Sequence, residues 1–223
     1  MPRAAQNGER SALSNRGGAK NKSRTSELVQ TAARLFYERG YDATSIQDVA
    51  DELGILKGSV YYYIKSKDDL LFAVIDDHHQ MALAHVEACR KSTGDPVERL
   101  CMFMRGYATL LDRHRITVAV FLNDFERLSK DRRRQIVKER EQYSDFVAET
   151  LREGLETGQF RADLDPTRAA LAILGMLNWS FRWYKPKGGY TSAEVVEEFL
   201  QLSLRGCLAE VTDLPPVVRA TPA

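Results

Sequence analysis

The sequence predicts an all-α protein of about nine helices, with a small three-helix unit ahead of a larger helical body. Apolar residues recur at helical spacing along most of the chain, as in Ile46, Val49, Ala50 and Leu53. Glycine, or a capping residue before proline, marks the ends of many segments, and no run alternates like a β-strand. We therefore expect two helical domains, over residues 23–66 and 67–211.

Composition narrows the class of protein. A chain of 223 residues that is 43% hydrophobic is typical of a soluble globular protein. Its apolar runs are shorter than the roughly 20 residues needed to span a bilayer, so we expect no membrane partner. The start of the chain lacks the apolar segment of a secretory signal, and the three cysteines form no CxxC pair. These features predict a cytoplasmic protein without a metal site or a bound cofactor.

Both ends of the chain read as disordered. Residues 1–22 combine Gly, Ser and Asn with several basic side chains and have no apolar periodicity, so we predict a disordered basic arm. The arm either contacts phosphates and a DNA minor groove or has no specific role. Residues 212–223 contain three prolines and are predicted to be a disordered tail.

The N-terminal unit is predicted from three short segments. A first helix over residues 23–39 ends at Gly40, and a second helix follows a cap at Thr44 or Ser45 and ends at Gly54. A third, from Lys57 to Ile64, has an apolar inner face and a polar, aromatic outer face.

Helix, glycine turn and short polar helix form the helix-turn-helix pattern, whose second helix enters the DNA major groove. Three successive tyrosines, Tyr61, Tyr62 and Tyr63, lie between Lys57 and Lys67. Tyrosine hydroxyls and lysine ammonium groups both bond phosphates. The pattern favours binding of double-stranded DNA over a surface hairpin without a partner.

Six further helices are predicted, over residues 67–91, 95–114, 116–128, 130–157, 165–184 and 191–211. The last two carry apolar residues on more than one face, so both faces are expected to be buried. We assign the second face to another subunit. The predicted dimer interface comprises Ile173, Leu177, Val196, Phe199 and Leu202.

The segment FYERGYDATSIQDVADELGILKGSVYYYIKSKDDLL resembles the TetR family of bacterial transcriptional repressors, and EGLETGQFRADLDP is also similar to that family. The resemblance covers roughly residues 22–211. It implies a helix-turn-helix DNA-binding domain, a C-terminal ligand-binding and dimerisation domain, and a homodimer that binds a near-palindromic operator. A small molecule would release it by shifting the population of conformers.

The resemblance also implies residue roles. Thr44, Ser45 and Lys67 match phosphate contacts, and the groove-entering positions are Lys57, Gly58 and Ser59. The three tyrosines match positions that touch the backbone and base methyls. Leu56 stands where the family often has a small polar residue, and Ile64 where it often has Phe.

The effector site is expected in the C-terminal domain. Its predicted residues are aromatic walls with polar interruptions: Phe103, Tyr107, Phe121, Asn123, Phe125, Tyr143, Phe146, Asn178, Trp179, Phe181 and Arg182. GMLNWSFRWYKPKGG resembles a segment of repressors of fatty-acid or other acyl-CoA degradation. There Trp179 and Arg182 would stack an adenine and pair with phosphates of an acyl-CoA. The alternatives are a dimer-interface helix end and a different apolar or aromatic effector.

Two other function classes are less favoured. An enzyme is disfavoured because the chain lacks a nucleotide-binding glycine loop, HExxH and GxSxG. His78 and His79 are adjacent, so we do not expect both to face one ligand. A sequence-independent architectural DNA-binding protein using the basic arm remains the other alternative.

Overall fold

A computed structural model describes residues 6–210 of the chain, with side chains from residue 23 onward. It confirms the predicted all-α class, with nine α-helices among the described residues. They are α1 (Gln6–Arg39), α2 (Ile46–Glu52), α3 (Lys57–Val60), α4 (Lys67–Arg90), α5 (Pro96–Arg113), α6 (Arg115–Asp124), α7 (Lys130–Glu156), α8 (Pro166–Trp183) and α9 (Ser192–Cys207). The predicted C-terminal tail lies outside the described residues.

The chain divides into two compact units, Met1–Val74 and Ile75–Ala223, and the boundary falls within α4. We call them the N-terminal unit and the C-terminal unit. None of the described helices is both long and apolar enough to cross a bilayer.

The core of the N-terminal unit is formed by the apolar faces of α1, α2 and α3. Leu35 and Phe36 of α1, Val49 of α2 and Val60 of α3 are buried. Because α2 and α3 have only seven and four residues and bury little apolar surface, the local interactions at their ends matter to this unit.

Glycine ends α1 and α2, as predicted. Gly40 has φ +85° and Gly54 has φ +63°, the left-handed conformation that side chains with a Cβ rarely adopt. Ser45 caps α2: its hydroxyl accepts from the backbone N–H of Asp48 at 3.1 Å, and the Asp48 carboxylate accepts from the Ser45 N–H at 2.6 Å. Both ends of α2 are therefore fixed by local sequence.

Two predicted boundaries in this unit were wrong. The first helix begins at Gln6 rather than at residue 23, so residues 6–22 continue α1. Once a helix has nucleated, each added residue contributes one hydrogen bond, and no proline interrupts this stretch. The third helix, α3, ends at Val60 rather than at Ile64. Tyr61–Tyr63 follow in a turn with helix-like hydrogen bonds, in which the Tyr63 N–H donates to the Val60 carbonyl at 2.9 Å.

The C-terminal unit has one large apolar core. Leu100 and Met104 of α5, Phe146 of α7 and Leu200 of α9 are almost fully buried in it. The guanidinium of Arg105 donates through Nε and Nη2 to the two carboxylate oxygens of Glu197 at 3.1 and 3.2 Å. This bidentate pair joins α5 to α9.

The helices predicted from residues 95, 165 and 191 begin close to those positions, each after an N-terminal cap. The carboxylates of Asp95 and Asp165 and the hydroxyl of Thr191 accept backbone N–H groups of the first turns. The last helix ends at Cys207, earlier than predicted, because Leu208 turns extended and pairs with Phe160 in an isolated antiparallel bridge.

The three cysteines, Cys89, Cys101 and Cys207, are reduced and buried. Burial raises the pKa of the Cys89 thiol and of the Cys101 thiol to about 11, and it also raises the pKa of Cys207. All three thiols therefore remain protonated and unreactive near neutral pH.

Candidate functional site

The outer surface of α3 carries the predicted groove residues. Lys57, Gly58 and Ser59 are exposed, and Tyr62 is 76% exposed in the turn that follows. Val60 lies underneath and is fully buried, which anchors the helix in the unit. The structure thus brings the polar and aromatic residues of this segment to one solvent-facing end of the N-terminal unit. Tyr61 is exposed beside them, and Tyr63 is half-buried.

Thr44 does not have the exposed position expected of a phosphate contact. Its side chain is 1% exposed, and its hydroxyl donates to the carbonyl of Gly40 at 2.9 Å. Thr44 therefore closes the turn between α1 and α2. Ser45 is exposed, but its hydroxyl lies 2.5 Å from the Asp48 carboxylate in the cap of α2.

Lys67, at the start of α4, is partly engaged within the protein. Its ammonium group donates to the carbonyl of Asp42 at 3.2 Å and lies 4.2 Å from the centre of the Tyr41 ring. These contacts hold the turn between α1 and α2. The phosphate contact that the family resemblance implies for Lys67 stays a prediction.

A second candidate site is a cavity of about 470 Å³ inside the C-terminal unit. Five predicted effector residues line it: Phe103, Tyr107, Phe121, Tyr143 and Asn178. The Tyr107 hydroxyl donates to Asn178 Oδ1 at 3.1 Å, and burial raises the pKa of Tyr107 well above its usual value. The wall is thus mainly apolar, with a few fixed neutral dipoles, which is usual for a small-molecule site.

The other six predicted effector residues lie off the cavity wall: Asn123, Phe125, Phe146, Trp179, Phe181 and Arg182. Phe146 and Phe181 are core residues, and Phe125 packs edge-on against Phe121 at 5.4 Å. Arg182 donates to Asn123 Oδ1 at 3.1 Å on the surface. Trp179 is 66% exposed. The predicted adenine-stacking pair therefore does not line this cavity, because the stripe on α8 that faces it runs through Leu171, Leu174, Gly175 and Asn178.

Two histidines of α4, His78 and His79, were not among the predicted effector residues. His78 and His79 are both buried and both line the cavity, contrary to the expectation that adjacent histidines would not face one ligand. A cavity that wraps around part of a helix can touch neighbouring positions, whereas a flat surface cannot. Burial lowers the pKa of His78 to about 3 and that of His79 to about 4, so both imidazoles are neutral at pH 7.

Tyr143 fixes the tautomer of His79. The Tyr143 hydroxyl lies 3.1 Å from the backbone carbonyl of His79 and 2.7 Å from its Nδ1. A carbonyl only accepts, so both hydrogen bonds form together only if the tyrosine proton goes to the carbonyl and Nδ1 carries a proton. The lone pair of His79 then resides on Nε2, which is buried and has no hydrogen-bond partner among the described residues.

Charge is confined to the rim of the cavity. Arg140 and Glu141 are its exposed charged lining residues, and the Arg140 guanidinium carbon lies 5.2 Å from the centre of the Phe121 ring. A ligand here would meet neutral surface inside, and both a cation, Arg140, and an anion, Glu141, at the mouth. Across the described residues, no three His, Cys, Asp or Glu side chains are grouped to hold a metal ion.

The predicted dimer interface divides between two faces of α8 and α9. Ile173, Leu177 and Val196 are buried within the chain, so they are core residues and cannot meet a second subunit. Leu202 is exposed and Phe199 is half-buried. Apolar residues on two faces of a helix do not reveal which face turns inward, so the sequence pattern did not separate core residues from exposed ones.

The exposed face of the same helices carries an apolar patch of Trp179, Trp183, Phe199 and Leu202. The rings of Trp183 and Phe199 meet edge-on at 6.2 Å, so α8 and α9 contribute to one continuous surface. Trp183 is 44% and Leu202 55% exposed. We call this surface the α8–α9 patch.

Known proteins resemble this chain over most of its length. Residues 28–74 match the tetR family of bacterial regulatory proteins, and residues 93–207 match the tetracyclin repressor-like C-terminal domain. The HTH-type transcriptional repressor KstR2 of Mycobacterium tuberculosis is 32% identical over 190 residues, which cover 84% of this chain and 94% of that protein.

Solved structures agree. The ketosteroid transcriptional regulator KstR2 of Mycobacterium tuberculosis superposes with a TM-score of 0.77 at 31% identity, covering 84% of this chain and 96% of that one. AibR, solved in complex with isovaleryl coenzyme A and operator DNA, superposes with a TM-score of 0.73 at 30% identity, covering 80% and 97%. The chain therefore belongs to the TetR family of bacterial transcriptional regulators.

Proposed function

We propose that this protein is a homodimeric repressor that binds a near-palindromic operator through α3 and is released when an acyl-CoA occupies the cavity of the C-terminal unit. The observation that carries the proposal is that one helix, α4, belongs to both units. Its first residues pack in the N-terminal unit, and its later residues, His78, His79, Ala82 and His85, line the cavity.

The DNA contact rests on the exposed end of the N-terminal unit. Lys57 and the hydroxyls of Ser59 and Tyr62 can donate to phosphates or base edges, and phosphate contacts of this kind fix register on the duplex. Thr44 is left out of this contact set because its hydroxyl is used inside the fold.

Dimerisation through the α8–α9 patch would bury the exposed Trp179, Trp183 and Leu202. Contiguous exposed apolar surface of this kind marks interaction sites in soluble proteins. A two-fold dimer presents two α3 helices, so the operator would have two related half-sites about 34–36 Å apart.

The effector class follows from the cavity and its rim. The apolar, neutral interior suits an acyl chain, and Arg140 at the mouth suits the phosphates of a coenzyme A that stays outside. AibR, which binds isovaleryl coenzyme A, supports this chemistry by similarity. The alternative is another apolar effector with an anionic end.

Release follows from the shared helix. An acyl-CoA that binds one position of α4 better than another shifts the population toward the first. Because α4 also begins in the N-terminal unit, its movement changes the placement of the two α3 helices, and operator affinity falls. By reciprocity, operator DNA weakens acyl-CoA binding by the same factor.

A gel-shift assay tests the proposal, with DNA from upstream of the protein's own gene and decanoyl-CoA as the effector. We expect one dimer on a short protected palindrome and release by decanoyl-CoA. A monomer by light scattering, or uniform coating of random duplex, would contradict the proposal.

A pair of variants tests the cavity. Ala82→Phe places a ring in the cavity and should keep operator binding while abolishing release. Ala84→Phe is the matched control, because Ala84 lies on the same helix, is exposed and does not line this cavity. Equal release of both variants by decanoyl-CoA would place the effector elsewhere.

A further inference from the structure

Leu56, at the start of α3, is an unfavourable residue for the isolated protein in two ways. It occupies the N-cap position of α3 and makes no side-chain hydrogen bond there, whereas Ser, Thr, Asp or Asn would satisfy a free backbone N–H. Its side chain is also 80% exposed, the largest exposed fraction among the described large hydrophobic residues. A residue that is unfavourable for the local structure, and that no other contact inside the fold compensates, indicates a functional position.

The neighbours of Leu56 indicate what it contacts. It directly precedes Lys57, Gly58 and Ser59, which are all exposed. These residues lie at the end of the N-terminal unit that, in our proposal, enters the major groove. Gly58 has open space around the position of a Cβ, so α3 presents no side chain beside Leu56 at that point. The exposed leucine methyls are therefore accessible to a partner outside the protein.

Apart from Lys57 and the hydroxyls of Ser59 and the tyrosines, the segment contains few side chains that read base edges. Between Gly54 and Ser66 the sequence contains no Arg, Asn, Gln, Asp or Glu, so the usual bidentate partners of adenine and the carboxylate partners of cytosine are absent, and only a lysine can pair with guanine. Lys57 and Lys65 are the only charged groups. Apolar contact with the thymine C5-methyl group is the base-specific chemistry that Leu56 can supply.

We propose that Leu56 is a specificity-determining residue that packs against a thymine methyl group in each half-site of the operator. This inference rests on the proposed function, because it needs α3 in the major groove. It explains why an aliphatic side chain stands where a cap would stabilise α3. Burying one methyl-sized group is worth about a fourfold change in affinity.

The experiment removes the methyl group from the DNA. The parent protein first selects duplexes from a pool with a randomised centre, and the consensus duplex is then synthesised with deoxyuridine replacing thymine at one symmetric pair of positions at a time. We expect one pair at which the substitution weakens binding of the parent by roughly fourfold or more per half-site. Leu56→Ser should bind the thymine and deoxyuridine duplexes equally at that pair.

A second readout separates contact from folding. Because serine restores the cap, Leu56→Ser should melt at a higher temperature than the parent by circular dichroism. Ile116→Ala is the matched control: it removes a partly exposed aliphatic side chain from α6 in the C-terminal unit, and it should leave the deoxyuridine profile unchanged.

The outcomes distinguish the two proposals. If no preferred duplex is selected, sequence-specific operator binding and the role of Leu56 both fail. If a duplex is selected but the parent and Leu56→Ser respond equally to every deoxyuridine substitution, the role of Leu56 alone is overturned. A uniform loss of affinity in Leu56→Ser on all duplexes would also overturn it.

Discussion

The N-terminal unit and the C-terminal unit satisfy their buried groups differently. In the N-terminal unit the buried hydroxyl of Thr44 is hydrogen-bonded, and the ends of α2 are closed by a capping box and a left-handed glycine. In the C-terminal unit a cavity of about 470 Å³ adjoins the core. Among the described side chains, every buried nitrogen or oxygen atom without a hydrogen-bond partner belongs to the C-terminal unit. These atoms include Nδ1 of His78 and Nε2 of His79.

This difference fits two tasks. A unit that presents side chains to DNA needs one fixed geometry, and full satisfaction of its buried groups provides it. A unit that responds to a ligand needs alternatives close in free energy, and an unfilled cavity with unpaired imidazoles leaves stabilisation for a ligand to supply. The following experiments test this contrast, from the largest expected effect on stability to the smallest.

Acidification should destabilise the C-terminal unit most. With pKa values of about 3 and 4 in the folded state and 6.5 as the usual value, His78 and His79 are neutral in the folded protein but protonated after unfolding between about pH 4 and 6.5. The unfolded chain thus binds more protons, so the free energy of unfolding falls as pH falls through 6.5. Each imidazole contributes about 1.4 kcal/mol per pH unit in that window.

Tryptophan fluorescence measures this effect, because both tryptophans lie in the C-terminal unit. The urea midpoint should fall from pH 7 to pH 5, and His79→Phe should reduce the slope by about one proton. The N-terminal unit contains no histidine and should change much less. An unchanged midpoint at pH 5 would contradict burial of the neutral pair.

Added volume should separate the two units next. Ala50 is fully buried in α2, so Ala50→Phe should destabilise the protein by about 1–3 kcal/mol or more through overpacking. Ala82 adjoins the cavity, so Ala82→Phe should stay within about 1 kcal/mol of the parent. Chemical denaturation gives both values, and equal costs would show that the cavity does not accept a side chain.

Helix caps should cost the same in both units. Ser45→Ala removes the acceptor of the Asp48 N–H, and Thr191→Ala removes that of the Glu194 N–H. Each loss should lower the free energy of unfolding by about 1 kcal/mol, because a cap is a local interaction. A much larger cost for one of them in urea denaturation would mean that the units also differ in their local structure.

Tyr62→Ala should have the smallest effect on stability and still weaken DNA binding. The ring is 76% exposed, so the free energy of unfolding should change by less than about 0.5 kcal/mol. Operator affinity should fall roughly tenfold if the ring contacts DNA. Tyr190→Ala is the control, since Tyr190 is 69% exposed in the C-terminal unit and should change neither quantity.

Local signals in the sequence predicted the helical class and many of the helix ends. Gly40, Gly54 and Gly158 each have positive φ where a helix was predicted to end. The helices predicted from residues 95, 165 and 191 begin after caps at Asp95, Asp165 and Thr191. These features depend on a few neighbouring residues, so the amino-acid order specifies them directly.

Site residues that depend on tertiary packing were harder to predict. Thr44 was assigned to phosphate by its position, but only the packed turn shows its hydroxyl bonded to Gly40. Trp179 and Ile173 lie on different faces of α8, and the sequence alone did not say which face turns inward. The signal for His78 was available, because it continues the apolar stripe of Leu71, Val74 and Ile75.

The three protected thiols make the proposed switch directly observable. Because Cys89, Cys101 and Cys207 are buried and their pKa values are raised, a cysteine introduced at exposed Ser59 would react selectively with a nitroxide label. In a two-fold dimer this single substitution places one spin on each α3. Pulsed electron paramagnetic resonance would then measure the distance between the two spin labels, and so between the two α3 helices, before and after decanoyl-CoA is added.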